Sequence, residues 1–209
     1  MNDQVQEVSD PAEKTAATVV TGEARGLADA GLYEEAIELL STENRRNRSR
    51  DIDRMLLALR SEAFLAYNCE TEPAEWPSDV PDQFGGKGIP EVTLDGLSAS
   101  SVRSGIENHG SLIVRGLLSP GQVDLMRNDI QQAFEAYEAS ESDSVNQEMQ
   151  GWYEPFSRDP DRDRATKHSK GAMLTVDAPP ALFVLLEIFE ACGVREAAQE
   201  FFGEPPMLL

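Results

Sequence analysis

Apolar residues along this chain fall into two stretches of helical spacing, separated by a segment with no period at all. Residues 1 to about 14 are polar, and a disordered tail is expected there. A helical period then sets in. Val20, Ala24, Leu27 and Ala28 share one face, Ala30-Gly31 interrupts it, and Tyr33, Ala36, Ile37 and Leu40 form the next. Ile52, Met55, Leu56, Leu59, Ala63 and Leu65 to Tyr67 predict a third helix. Glycine at the break suits the short turn between antiparallel helices. Residues 15–70 therefore read as one helical segment.

Residues 71–90 (TEPAEWPSDVPDQFGGKGIP) read as a linker, with four prolines, three glycines and no helical period. Trp76 and Phe84 are placed to pin it to a neighbouring surface. Its GGKG stretch is not a phosphate-binding loop. That loop needs Ser or Thr after the lysine, whereas Gly88 follows Lys87.

From Glu91 the pattern changes. Leu97 to Asn108 reads as a short helix, with Val102 and Ile106 one turn apart and Gly110 past its end. Ser111–Arg115 is short and β-prone. Ser119, Pro120 and Gln122 then make a capping box with proline at the first helical position. The stripe Val123, Met126, Ile130, Ala133, Phe134 and Tyr137 carries that helix to about Ala139. Residues 140–170 are polar, with Trp152, Tyr153 and Phe156 as packing residues of a long loop or a substrate-facing lid. Gly171–Val176 reads as a strand. Pro179-Pro180 opens an apolar helix through Phe189, closed by Gly193, and Val194–Phe202 forms a last helix closed by Gly203. Pro206–Leu209 is a further strand candidate. The fold class expected is α+β.

Composition excludes several functions. With 38 acidic and 18 basic residues the net charge is −20, which repels nucleic acid and anionic membrane surfaces. The longest apolar run, Ala181–Leu186, stops at Glu187, far short of the roughly 20 residues needed to span a bilayer. The N-terminal MNDQVQEVSD lacks the features of a secretory signal, and Cys69 and Cys192 do not make a disulfide framework. A cytoplasmic location is the expectation. The charge is uneven: residues 1–43 carry −8, residues 44–60 carry +4 and residues 61–91 carry −6. The arginine run Arg45, Arg46, Arg48 and Arg50 reads as a solvated loop balancing acidic helices.

Candidate chemistry is sparse. Asp159, Asp161 and Asp163 alternate, but a calcium loop counted from Asp159 would need Gly at 164 and Glu at 170, where Arg164 and Lys170 stand. Cys69 and Cys192 lack the histidine context of a nucleophile, and the serines from Ser98 to Ser104 form no Gly-x-Ser-x-Gly turn. His109 lies at a helix end, where a cation is favourable against the dipole. His168 lies between Lys167 and Lys170. No catalytic residue and no metal ligand is assigned, and cofactor-binding residues stay unknown.

Two resemblances add to this reading. GLYEEAIELL resembles the turn and second helix of a tetratricopeptide repeat, through Gly31, Tyr33 and Ala36, with Ala24 and Leu27 at the matching first-helix positions. A plain helical hairpin is the alternative. HGSLIVRGLLSPGQVDLMRNDIQQAF resembles the opening of the phytanoyl-CoA dioxygenase family. Gly110, Ile113, Val114, Arg115, Gly116, Leu117, Leu118 and Ser119 follow its order of strand, Arg-Gly turn and Ser-Pro-capped helix. VREAAQEFFGEPPMLL is similar to the helix leading into that family's first barrel strand. The resemblance implies that residues 91–209 are the helix-rich front part of a double-stranded β-helix (jelly-roll) oxygenase domain.

By that resemblance the full-length protein uses Fe(II) and 2-oxoglutarate to hydroxylate a small organic substrate. The family's first two iron ligands form His-x-Asp or His-x-Glu, but Ser111 stands two positions after His109, and Lys170 two after His168. Lys170 is the nearest candidate for a basic residue facing 2-oxoglutarate, with a surface lysine as the plainer reading. Three strand candidates cannot close a barrel of about eight strands. The expectation is an N-terminal piece of an oxygenase that is inactive by itself and binds neither cofactor tightly. The alternative is a helical-repeat module that binds a protein partner, attached to a non-catalytic oxygenase remnant.

Overall fold

A computed structural model describes residues 11–66, 79–142, 144–156 and 166–203, with side chains from residue 17 onward. The chain divides into two compact units, residues 1–69 and 70–209. The described residues are mostly helical with one small parallel sheet, compatible with an α+β fold.

The first unit packs three helices: α1 (Pro11–Asp29), α2 (Tyr33–Arg46) and α3 (Arg50–Ala66). Each touches the other two. The first helix starts earlier than the polar tail of residues 1–14 implied. Proline fixes the backbone angle that a first helical residue needs, so Pro11 suits a helix start in a polar context. Residues 1–10 lie outside the described residues. Gly31 takes a positive φ of 83°, which lets the chain reverse between α1 and α2. Ala24, Ala28, Ala36, Leu40, Ile52, Leu56, Leu59 and Ala63 are buried. Arg25 reaches from α1 to α3 and grips the Glu62 carboxylate with both terminal nitrogens, at 2.7 and 3.2 Å.

The end of α3 departs from the sequence pattern. Leu65 is 66% exposed and Phe64 is exposed beside it, so the buried face of α3 ends at Ala63. Tyr67 lies outside the described residues.

The second unit opens with residues 79–90, which hold neither helix nor strand. The strand β1 (Glu91–Thr93) follows, with no strand expected there. A single 3-10 turn (Leu94–Gly96) leads to α4 (Ala99–His109), and β2 (Ile113–Arg115) returns parallel to β1. Glu91 pairs with Ile113, Val92 with Val114 and Thr93 with Arg115. A helix crossover is what joins parallel neighbours. Arg115 locks the register by gripping the Glu91 carboxylate at 2.9 and 2.7 Å.

Helix α4 buries Ala99, Ser101, Ser104 and Gly105 rather than the expected Ile106, which is exposed. The reason is close approach. A Cβ on Gly105 would stand 2.8 Å from the Leu112 Cβ, so only a small residue fits that face.

Helix α5 (Pro120–Glu141) begins with the capping box: Ser119 accepts the Gln122 N–H, and the Gln122 side chain accepts the Ser119 N–H. Its buried face is rotated from the expected stripe. Asp129, Ala133, Ala136 and Ala139 are buried, while Val123 and Ile130 are 47% and 48% exposed. Helix α6 (Pro179–Ala191) packs against α5 and supplies the apolar bulk. Val184, Ile188 and Cys192 form a core cluster, with Leu117, Leu118, Met126, Phe189 and Val194 against it.

Helix α7 (Val194–Phe202) packs on α4 and α6. Arg103 of α4 donates to the Phe201 carbonyl at 2.9 Å and lies over its ring at 5.5 Å, satisfying an otherwise open helix-end carbonyl.

Gly171–Val176 is not a strand. Gly171 closes a turn with φ 70°, and Thr175–Asp177 forms a 3-10 turn whose Val176 and Asp177 are both buried. Among the described residues the sheet holds β1 and β2 alone, so no strand pairs with this segment. Pro206–Leu209 lies outside the described residues.

Candidate functional site

The most connected set of polar side chains lies where residues 79–90 cross α4. Ser104, Asn108 and His109 come one helical turn apart or adjacent, so they project from one end of the helix. Ser104 Oγ donates to the Pro81 carbonyl at 3.1 Å and accepts the Gln83 N–H at 2.9 Å. Asn108 donates to the Val80 carbonyl at 3.1 Å. The His109 ring stands 2.9 Å from the Asp82 carboxylate through Nε2 and 3.0 Å from the Gly88 carbonyl through Nδ1. Phe84 meets that ring edge-on at 6.1 Å between centroids. The His109 side chain is only 6% exposed.

Asp82 also accepts the N–H groups of Phe84 and Gly85, at 2.9 and 3.1 Å. The His109 contact first, and these two backbone donors next, hold its carboxyl at about 2, below the usual 3.8. Sequence reasoning missed Asp82. Its signal was present in Asp-x-Phe-Gly-Gly, since an aspartate before glycines commonly accepts the N–H groups of the turn it opens.

A His–Asp pair invites a catalytic reading, but this one lacks the parts. Both ring nitrogens are committed, so neither is open to take a proton from a substrate. Ser104, the hydroxyl one turn earlier, is likewise engaged on both sides.

His168 sits elsewhere, in an aromatic cluster. Its ring centroid lies 4.1 Å from that of Tyr137 and 6.0 Å from that of Tyr153, and the two tyrosines are 5.2 Å apart. Its Nε2 is buried without a hydrogen-bond partner. Lys170 is exposed, in the turn that ends at Gly171. Cys192 is buried, with its Sγ 3.1 Å from the Leu117 carbonyl. Ser98 and Ser101 form a capping box for α4. Cys69, Trp76, Asp159, Asp161 and Asp163 lie outside the described residues. Trp152, Tyr153 and Phe156 are half-buried, and the Phe156 N–H donates to the buried Asp177 carboxylate at 2.7 Å.

No family model, curated protein or solved structure matches this chain.

The donor groups can still be tested against the iron that the oxygenase resemblance implies. A non-haem iron site needs two histidines and a carboxylate on one face. Among the described residues no three His, Cys, Asp or Glu side chains gather to hold a metal ion. His109 has spent both nitrogens on Asp82 and Gly88, and His168 is packed between tyrosines. The described residues do not fit an iron site. Among them, no helix is long and apolar enough to cross a membrane.

Proposed function

We propose that residues 91–209 are the front layer of a non-haem iron, 2-oxoglutarate-dependent oxygenase domain of the phytanoyl-CoA dioxygenase kind, whose iron ligands lie on chain beyond these residues. One observation carries the reading: a parallel sheet of two three-residue strands, with the outer edge of each strand unpaired among the described elements. Parallel sheets are normally larger and covered on both faces, so such a pair calls for further strands. The resemblance supplies the kind of sheet. Gly110 ends α4 in the left-handed conformation, β2 follows, Gly116 turns with φ 68°, and Ser119 caps α5. That order resembles the helix, strand, Arg-Gly turn and capped helix of the family's opening. Leu117 and Leu118 then serve the core beneath α6. In this reading the chain scaffolds a barrel, and hydroxylation of a small organic substrate belongs to the whole protein.

The experiment is succinate release with Fe(II) and 2-oxoglutarate, run on these 209 residues and on a chain extended through the downstream coding sequence. The extended chain should release succinate, and its added sequence should contain His-x-Asp, a distal histidine and an arginine after it. Turnover by the 209 residues alone, or an extension lacking those residues, overturns the proposal.

A second reading concerns the helical unit. Phe64 and Leu65 are exposed at the end of α3, in keeping with a protein-interaction role. Replacing both with serine should abolish capture of a partner by the full chain while leaving its helix content unchanged; capture that survives excludes that face.

A further inference from the structure

Both ring nitrogens of His109 face acceptors. Nδ1 meets a backbone carbonyl, and Nε2 meets a carboxylate that is ionised above a pH of about 2. Neither partner has a proton to give. A neutral imidazole carries one N–H, so it can satisfy one of these acceptors and must turn a lone pair toward the other. Only the imidazolium donates to both.

We propose that His109 is a proton-operated clasp that holds residues 79–90 against α4 when its ring carries both protons and loosens them when one is lost. Asp82 is the titratable group in contact with the ring. The other charged residues on the strap are Asp79 and Lys87, and those on α4 are Glu107 and Arg103, the last committed to the Phe201 carbonyl. The bonds of Ser104 and Asn108 to the strap do not titrate, so they set the hold that remains when the clasp opens. Phe84 meets the ring edge-on and belongs to the segment that the clasp holds.

The strap has a position that gives release a consequence. It runs directly into β1, where the Pro90 carbonyl accepts the Ile113 N–H. Opening removes one bond from residues 79–90 just before the sheet begins, while those of Ser104 and Asn108 remain. The clasp thus sets how firmly the chain ahead of the second unit's sheet is held, as a function of proton concentration.

The test is amide hydrogen exchange on the whole chain from about pH 5.5 to about pH 8.5, with rates divided by the intrinsic rate at each pH. Histidine is the side chain whose charge changes across this range. Protection at Gln83, Phe84 and Gly85 should fall about threefold to tenfold across it, as expected for losing one hydrogen bond. His109→Gln should give low, pH-independent protection, and His168→Asn should keep the wild-type response. A flat wild-type profile, or an unchanged response in His109→Gln, overturns the clasp.

Ring nitrogen spectra of the wild-type protein provide a second measurement that needs no variant. Both His109 nitrogens should be protonated at the acid end and pass to one tautomer in step with the loss of protection. A single tautomer throughout, or a transition out of step with protection, overturns the proposal even if His109→Gln does not fold.

Discussion

Asn44 donates from Nδ2 to the Asp53 carboxylate at 2.7 Å, with both residues buried between α2 and α3. The same amide accepts the Ser49 N–H through its oxygen at 3.3 Å, so one side chain ties the end of α2 to the start of α3. Asn44→Ala removes a donor from a buried carboxylate and should cost about 1–3 kcal/mol. Urea unfolding followed at the helical signal measures it. A change below about 0.5 kcal/mol would mean that the pair contributes little.

Glycines in two helices should respond with opposite sign. Gly105→Ala places a Cβ 2.8 Å from the Leu112 Cβ and 3.2 Å from the Ser111 carbonyl oxygen. Overpacking of this kind costs about 1–3 kcal/mol, more than the ~1 kcal/mol that alanine gains over glycine in a helix. Gly22 and Gly26 in α1 meet nothing within 4 Å, so alanine at either should stabilise by about 0.5–1 kcal/mol. Thermal melts of the three variants decide it, and a uniform sign would refute the packing account.

The capping box of α5 supports a testable magnitude. Ser119→Ala removes the acceptor of the Gln122 N–H and should destabilise the second unit by about 1 kcal/mol, while Ser119→Asp should restore most of it. Denaturant midpoints of the two variants provide the comparison. Equal midpoints would show that the cap is dispensable in this context.

Asp82 predicts an acid-side effect distinct from the clasp. Its carboxyl is lowered in the folded state, so its contribution is complete above the usual 3.8 and disappears as pH falls through about 2. Protection of the Phe84 and Gly85 amides should therefore drop between about pH 4 and about pH 2 in the wild type. Asp82→Asn should start lower and show no such step. An identical acid profile in both proteins would remove Asp82 from the account.

Part of this architecture was legible because it is local. Ser119, Pro120 and Gln122 announce the start of α5 within four residues, and the left-handed glycines at 31, 110, 193 and 203 mark helix ends. Apolar spacing in α1, α2 and most of α3 located the faces that meet. The same reasoning erred where partners are distant or absent. Gly171–Val176 has β-prone residues but no pairing strand among the described residues, and Val123 and Ile130 share a stripe yet are exposed, while Asp129, Ala133, Ala136 and Ala139 make the buried face of α5.

The candidate site belongs mostly to the second category. His109 was visible as a helix-end histidine, but its partners Asp82 and Gly88 lie 27 and 21 residues away. No periodicity reports such a contact. The sequence by itself determined the helix ends marked by a cap or a glycine, because caps, turns and apolar spacing act within a few residues. Only the tertiary structure decided that β1 joins β2, that the strap lies on α4 and that one imidazole faces two acceptors, because each depends on groups brought together by packing.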